Sequence, residues 1–453
     1  MTAADRYYEK MTKTPVSKLI VKLGLPTTVS MLITGIYNLA DTYFVGILGE
    51  SPQAATGILF TLQCIIQAVS FMLGHGSGSF VSKALADKDT DEATCYVSTA
   101  FFTGAAAGTL LSVFGLIFLT PLMRLLGSTE TILPYARDYG MWVLIACPFM
   151  VCSLVLNNNL RYEGKALFAM IGLTTGGILN IFGDWLLVYK LGMGVFGAGM
   201  ATAISQFISF SILLVLYLKM AQSTVSLRAV SRKASVYWGI VKVGFPSLIR
   251  QGLTSISGGL LNNLTKPFGD AAIAAMSVVN RFSSLVMCVG LGIGQGFQPV
   301  ASFNYRAKEY KRVKQGLVFT TVLGFCTVAV LSLFGFIFAE NIILLFQKSE
   351  EVVRIGTPAL RYATVGLLFL PLSVPVNMLY QSIRRADIAS FLSILRSGAA
   401  LIPTLLITVH FFGLLGIQLS QPLSDCITGL ITLPFTIHFL RKDHSATPDS
   451  HIA

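Results

Sequence analysis

Hydrophobic runs of about 20 residues or more recur along the whole chain, and nothing else in the sequence restricts the fold as tightly. A run of that length crosses the hydrocarbon core of a bilayer as a helix. A chain in lipid must also satisfy its own backbone polar groups, which leaves helices and closed barrels. Strand-like alternation is absent, which argues against a barrel. We place twelve spans near 17–45, 53–82, 93–121, 134–160, 166–189, 195–218, 236–262, 271–303, 315–339, 355–382, 387–412 and 414–440. Composition agrees: 54% of the 453 residues are hydrophobic and 12% charged, against about 25% charged in soluble domains.

The formal charge of +12 raises the question of a nucleic-acid partner, and its placement answers it. Basic residues collect in the N-terminal segment (Arg6, Lys10, Lys13, Lys18), the central connection (Lys219, Arg228, Arg232, Lys233), the 304–314 loop and the end of the last span. Arg161, Lys165, Arg384 and Arg385 fall on the same side, while the alternate loops hold few. This asymmetry puts both termini in the cytoplasm, so no nucleic-acid role is needed. Residues 1–18 show no cleavable signal pattern, and the first apolar segment is expected to stay as a helix. The seven cysteines are scattered without a CxxC pair, which supports neither a metal site nor a disulfide framework.

Comparison of the chain with itself reveals a tandem duplication. LSVFGLIF at 111–118 reappears as LSLFGFIF at 331–338, and IVKLGLP at 20–26 as IVKVGFP at 240–246, both at an offset of 220. GVFG at 194–197 matches GLLG at 413–416. GHGSG at 74–78 matches GIGQG at 292–296 if a two-residue slip is allowed. Each copy holds an even number of spans, so both enter the membrane in one orientation, related by an axis along its normal. The expected fold is an all-α integral membrane protein of twelve transmembrane helices, arranged as two six-helix bundles related by a pseudo-two-fold. Its expected parts are an N-terminal lobe at 1–220, a cytoplasmic linker at 221–236 and a C-terminal lobe at 237–453. The GxGxG series lies inside predicted helices with no strand before it, so it reads as close helix packing and not as a nucleotide loop. His75 within it reads as a packed or hydrogen-bonded residue.

Few ionisable residues fall well inside the spans: Asp41 and Asp184 in the first half, and mainly Arg250, Arg281, Arg396 and Asp425 in the second. A central charge costs about 2.5–3.5 kcal/mol on insertion scales, so such groups normally face a bundle interior or a water-filled cavity. Span 1 runs outward, placing Asp41 ~10 Å below its outer end. Asp184 sits near the outer end of span 5, Asn180 one turn below it, and Thr202 about two turns into span 6. The four therefore share one level. They offer only oxygen ligands for a cation, which suits Na⁺ or a proton relay. Two neighbouring carboxylates in low dielectric do not both stay ionised cheaply; one takes a proton or is neutralised by a cation. At the repeat offset Asp41 corresponds to Leu261, beside Asn262 and Asn263, and Asp184 to Pro403. The second half has lost both acids.

With these residues in view, the sequence resembles the multidrug and toxic compound extrusion (MATE) family, in its bacterial MepA-like type near the DinF branch. The likeness covers nearly the whole chain. It is carried by PTTVSMLITGIYNLADTYFVGILG, by the GxGxG of span 2, and by NIFGDWLLVYKLGMGVFGAGMATAISQ across spans 5 and 6. The resemblance implies two six-helix lobes and export of cationic amphiphiles driven by Na⁺ or H⁺. It assigns the cation site to Asp41, Asn180, Asp184 and Thr202, with Asn157 as a neighbour; these four would be the ligands if the ion is Na⁺. Another branch uses acids on helices 7 and 10, where this chain offers Asn262, Asn263 and Asn377.

The expectation is a secondary antiporter in the cytoplasmic membrane, with no cofactor beyond its coupling ion. Its partners are small cationic amphiphiles and membrane lipid, not nucleic acid, and it acts as a monomer. Tyr37, Met31, Asn157 and Asn377 are candidate residues of the substrate cleft, although Tyr37 and Met31 read equally well as helix packing. The alternative is a flippase for an amphipathic, lipid-linked substrate. An enzyme is not expected, because no HExxH set is present and loops this short leave little room for a catalytic domain.

Overall fold

The computed structural model describes residues 3–346 and 349–442, which are helical almost throughout and contain no strand. We label the long helices α1 (Val16–Gly46), α2 (Glu50–Ala86), α3 (Thr90–Ile117), α4 (Leu133–Tyr162), α5 (Ala166–Asp184) and α6 (Gly194–Met220) in the first half. In the second half they are α7 (Ala234–Thr265), α8 (Asp270–Arg306), α9 (Tyr310–Ile337), α10 (Glu350–Leu367 and Leu370–Ser382), α11 (Ala386–Ile394 and Leu401–Phe412) and α12 (Leu414–Arg441). A π-helical turn, Trp185–Lys190, follows α5, and another, Leu395–Ala399, joins the two parts of α11.

Ten of the described helices are long and apolar enough to cross a membrane, and the two parts of α10, bent by 46°, form an eleventh span. The remaining one of the twelve expected spans is α7. Its 32 residues suffice in length, but Lys242, Arg250, Asn262 and Asn263 dilute its apolar character.

Backbone geometry repeats as the sequence does. Gly49 and Gly269 precede α2 and α8 with φ of 129° and 90°, and Lys88 and Lys308 follow them with φ of 61° and 63°. Because α2 and α8 are both 37 residues long, there is no slip between them. Gly74 and Gly76 are matched by Gly294 and Gly296, and not by the glycines two positions earlier. Asn158 is the side chain nearest Gly74, and its repeat partner Met378 is the nearest to Gly294. The sequence letters favoured the slipped alignment; helix length decides against it.

By contacts the chain forms two compact units, Val29–Gly252 and the chain up to Thr28 together with that from Leu253 on. The division falls inside α1 and α7, shortly after Pro26 and Pro246. Proline removes an intrahelical hydrogen bond and crowds the preceding turn, so each helix loosens there. Within the Val29–Gly252 unit, α7 lies so close to α2 that a Cβ on Gly76 would overlap the Ile240 carbonyl, and one on Gly244 that of Met72. Within the other unit, α1 meets α8 in the same way: a Cβ on Gly296 would overlap Gly24, and one on Gly292 would fall 2.5 Å from Thr28 Cα. Side chains are excluded at these crossings by backbone proximity, which is why glycine stands there.

The segment after α6 is strapped to its own unit. Ser226 donates its backbone N–H to Ser98 Oγ at 3.0 Å, and Ser231 donates to Thr99 Oγ1 at 2.9 Å, both on α3. Glu163, fully buried at the end of α4, accepts the Gln222 N–H at 2.5 Å, the Tyr217 hydroxyl at 3.1 Å and the Ser223 hydroxyl. Burial pushes the Glu163 carboxyl above its ordinary value of 4.5, against the pull of these donors. In the other unit the strap is the N-terminal helix Ala3–Lys13. There Arg312 donates to the carbonyls of Met11 at 3.1 Å and Thr14 at 2.5 Å, and its Nε donates to Asn304 at 2.9 Å.

Candidate functional site

All four acids, amides and hydroxyls singled out in the first half lie within the Val29–Gly252 unit, and all are buried. Asp41 is 9% exposed and Asp184 not at all. A residue on α4, Tyr139, knits them together. Its hydroxyl donates to Asp41 Oδ2 at 2.7 Å and meets Thr202 Oγ1 at 3.3 Å. Asn180 in turn donates from Nδ2 to the same Thr202 Oγ1 at 3.1 Å. Helices α1, α4, α5 and α6 thus contribute one polar side chain each to a single chain of contacts. Asp184, one turn beyond Asn180 on α5, lies within electrostatic reach of both Asp41 and Tyr139.

Several acceptors in this cluster are left over. Among the described residues, Asp41 Oδ1, Asn180 Oδ1 and both carboxylate oxygens of Asp184 are buried without a hydrogen-bond partner. Buried acceptors left unpaired are costly, of order 1–3 kcal/mol each and more when charged. Four of them around two carboxylates make a set of oxygen ligands suited to a hard cation or to protons. The donor chemistry therefore fits the coupling ions proposed from sequence. Asp184 also sits where α5 passes into the π turn Trp185–Lys190. Such turns are rare and occur often at functional sites.

Tyr139 was not among the sequence candidates. As a tyrosine near the outer end of its span it reads as an interfacial anchor. The depth rule used for Asp41 would have reached it, since the expected topology starts α4 outside and Tyr139 lies about two turns in.

The remaining candidates have other engagements. Asn157 donates to the Ala169 carbonyl at 2.9 Å, and its repeat partner Asn377 donates to the Ala389 carbonyl at 2.8 Å. The same bond, at the same offset, ties adjacent helices together in each half. Tyr37 packs its ring beside Gly177, where a Cβ would lie 3.1 Å from it, and its hydroxyl is hydrogen-bonded to Gln206. Met31 is half-buried. His75 is hydrogen-bonded through Nδ1 to Ser247 Oγ at 2.8 Å, with Arg161 at 3.4 Å from its other nitrogen. It holds α7 to α2 beside the glycine crossing.

The comparisons with known proteins bear on the family and the fold. The MatE family profile matches the chain twice, over residues 26–186 and 246–406, the same offset of 220 that relates the repeats. The multidrug export protein MepA of Staphylococcus saprophyticus is 24% identical over 439 residues, covering 96% of each chain. MepA of Staphylococcus aureus strain MSSA476 is 24% identical over 452 residues, covering 98% of each. Among solved structures, a MATE transporter in complex with MaL6 superposes with a TM-score of 0.90 at 24% identity, over 97% of this chain and 99% of its own.

Proposed function

Because the chain belongs to the MatE family of membrane-spanning transporters, we propose that it is a cation-coupled antiporter. It exports cationic amphiphilic drugs and other xenobiotics across the cytoplasmic membrane in exchange for Na⁺ or H⁺. Both termini lie on the cytoplasmic side. The relatives named as multidrug export proteins support the export of drugs. The observation that carries the coupling is the set of unpaired buried oxygens around Asp41 and Asp184.

The residues act as follows in this reading. Asp41 and Asp184 supply the charge that draws in one cation or proton from outside. Asn180 Oδ1 adds a neutral ligand. Tyr139 holds Asp41 in place and, with Asn180, fixes the Thr202 hydroxyl. Neutralising the pair changes what α1, α4, α5 and α6 gain by staying together. The ion can bias the transporter only to the extent that it binds one conformation better than the other, and drug and ion affinities are then coupled reciprocally.

The test is efflux of a fluorescent organic cation from reconstituted vesicles, with Na⁺ and H⁺ gradients imposed one at a time. The proposal expects one gradient to accelerate efflux, and expects Asp41→Asn and Asp184→Asn to remove that acceleration while the proteins stay folded and inserted. Wild-type rates in both variants would reject the coupling site. Transport of amphiphiles indifferent to either gradient would instead favour a flippase.

A further inference from the structure

A second buried charged group lies in the other unit, outside the Asp41 cluster. Arg396 belongs to the π turn of α11 and Asp425 to α12, with Arg396 Nε 3.9 Å from Asp425 Oδ1 and side-chain exposures of 12% and 5%. That distance is an ion pair without a hydrogen bond. Arg396 Nε has no hydrogen-bond acceptor among the described residues, and one of its terminal nitrogens faces the Met287 sulfur at 2.8 Å. A thioether is a weak acceptor. Among the described residues Asp425 accepts only from Gln421, at 3.2 Å through Oδ2. On the same face of α12, Ser424 and Thr428 carry buried hydroxyls with no hydrogen-bond partner among the described residues. The π turn itself is held from α7, where Ser257 donates to the Ser397 carbonyl at 2.7 Å.

This is poor construction for a purely structural pair. Two charges taken out of water repay their desolvation only with close, hydrogen-bonded geometry. Here the guanidinium leaves much of its donor capacity unspent, and the carboxylate keeps one oxygen nearly free. The position is also informative. At the offset of 219 that relates Gly194 to Gly413, Gln421 stands where Thr202 does and Asp425 where Gln206 does, and at the offset of 220 that relates Ala169 to Ala389, Arg396 stands where Gly176 does. The repeat has thus placed polar chemistry on the same two helices at neighbouring levels, but with a cation of its own in place of a second acid.

Building on the proposed export of organic cations, we propose that Asp425 binds the cationic centre of the substrate and that Arg396 is its resident competitor. With no substrate bound, Arg396 neutralises the carboxylate at arm's length. An organic cation displaces it, since one carboxylate in low dielectric does not hold two cations cheaply. Ser424, Thr428 and Gln421 supply polar contacts at the side, and Met287 a polarizable apolar one.

The test is equilibrium binding of tetraphenylphosphonium, a permanent cation, to the purified full-length protein in detergent, with melting temperature as the check on folding. Asp425→Asn is expected to weaken binding about tenfold, and Arg396→Gln to tighten it by up to about tenfold, the worth of one charged contact. The double variant should bind like Asp425→Asn. A structural pair would give the opposite sign for Arg396→Gln. Unchanged or weaker binding by folded Arg396→Gln overturns the proposal, as does saturable binding indifferent to Asp425→Asn. Should the neutral variants fail to fold, Asp425→Glu and Arg396→Lys keep the charges and shift their geometry. They are expected to move the affinity by at least about threefold, and no movement in either again overturns it. Absence of saturable binding by the wild type would reject the organic-cation reading itself, and this proposal with it.

Discussion

In the Val29–Gly252 unit, α5 and α6 carry Asn180, Asp184 and Thr202 into one polar cluster with Asp41 and Tyr139. In the other unit, α11 and α12 carry Arg396 and Asp425 at neighbouring repeat positions. The backbones match closely, down to the glycine φ angles and the Asn157 and Asn377 bonds. The charges do not. Two carboxylates without a paired base require a cation or proton from outside, whereas a carboxylate with its own arginine is neutral already. Duplication has therefore preserved the packing frame and left the charge free to diverge. The difference motivates both proposals, ion coupling at the first set of residues and substrate contact at the second.

The sharpest break would come at Asp184. Asp184→Asn should lower gradient-driven efflux roughly a hundredfold, the upper range of ordinary coupling energies. An equal loss of gradient response in Asp425→Asn would dissolve the distinction between the units. Next come the crossings the two units share. Gly244→Ala and Gly296→Ala each force a methyl group into backbone, and both should destabilise by about 1–3 kcal/mol, read as lowered melting temperatures. Gly252→Ala, with nothing within 4 Å of the added carbon, should be tolerated. If only one of the two crossings proved sensitive, the shared frame would be in question. Tyr139→Phe removes the hydroxyl that donates to Asp41, and should raise the ion concentration needed for half-maximal efflux about fivefold, about 1 kcal/mol.

The smallest expected effect concerns the straps. Glu163 has Ile383 as its repeat partner, so only the first unit has an acid there. Burial raises the Glu163 value, so the folded state holds the proton more tightly than the unfolded state does. Its contribution is then fully present below 4.5 and declines as pH rises through the elevated value. Hydrogen exchange at residues 222–226, corrected for intrinsic rates, should accelerate beyond expectation over that window, and Glu163→Gln should remove the excess. A flat profile in the wild type would contradict this.

Much of this was legible before any coordinates, because it rests on properties local in sequence. Span length, charge asymmetry and the 220-residue offset identify the helices and the duplication. Depth along successive spans placed Asp41, Asn180, Asp184 and Thr202 at one level. Tyr139 was harder to see, since a tyrosine close to a membrane interface has an ordinary explanation. The division inside α1 and α7 depends on contacts between residues about one hundred and seventy or two hundred and seventy positions apart, although Gly24–Pro26 and Gly244–Pro246 mark the places. The true register of α2 on α8 was obscured by matching letters, and only helix length exposes it. The two π turns leave no compositional trace, so the approach of Arg396 to Asp425 was visible only in the fold.

The most direct measurement records dye efflux and ion uptake together in the same vesicles, and compares their ratio in the wild type, Asp184→Asn and Asp425→Asn. The ratio should collapse in Asp184→Asn, where dye moves down its own gradient without accompanying ions. In Asp425→Asn it should stay at the wild-type value while more dye is needed to reach the same rate. An unchanged ratio in Asp184→Asn would contradict the assignment of ion coupling to the Asp41 and Asp184 pair.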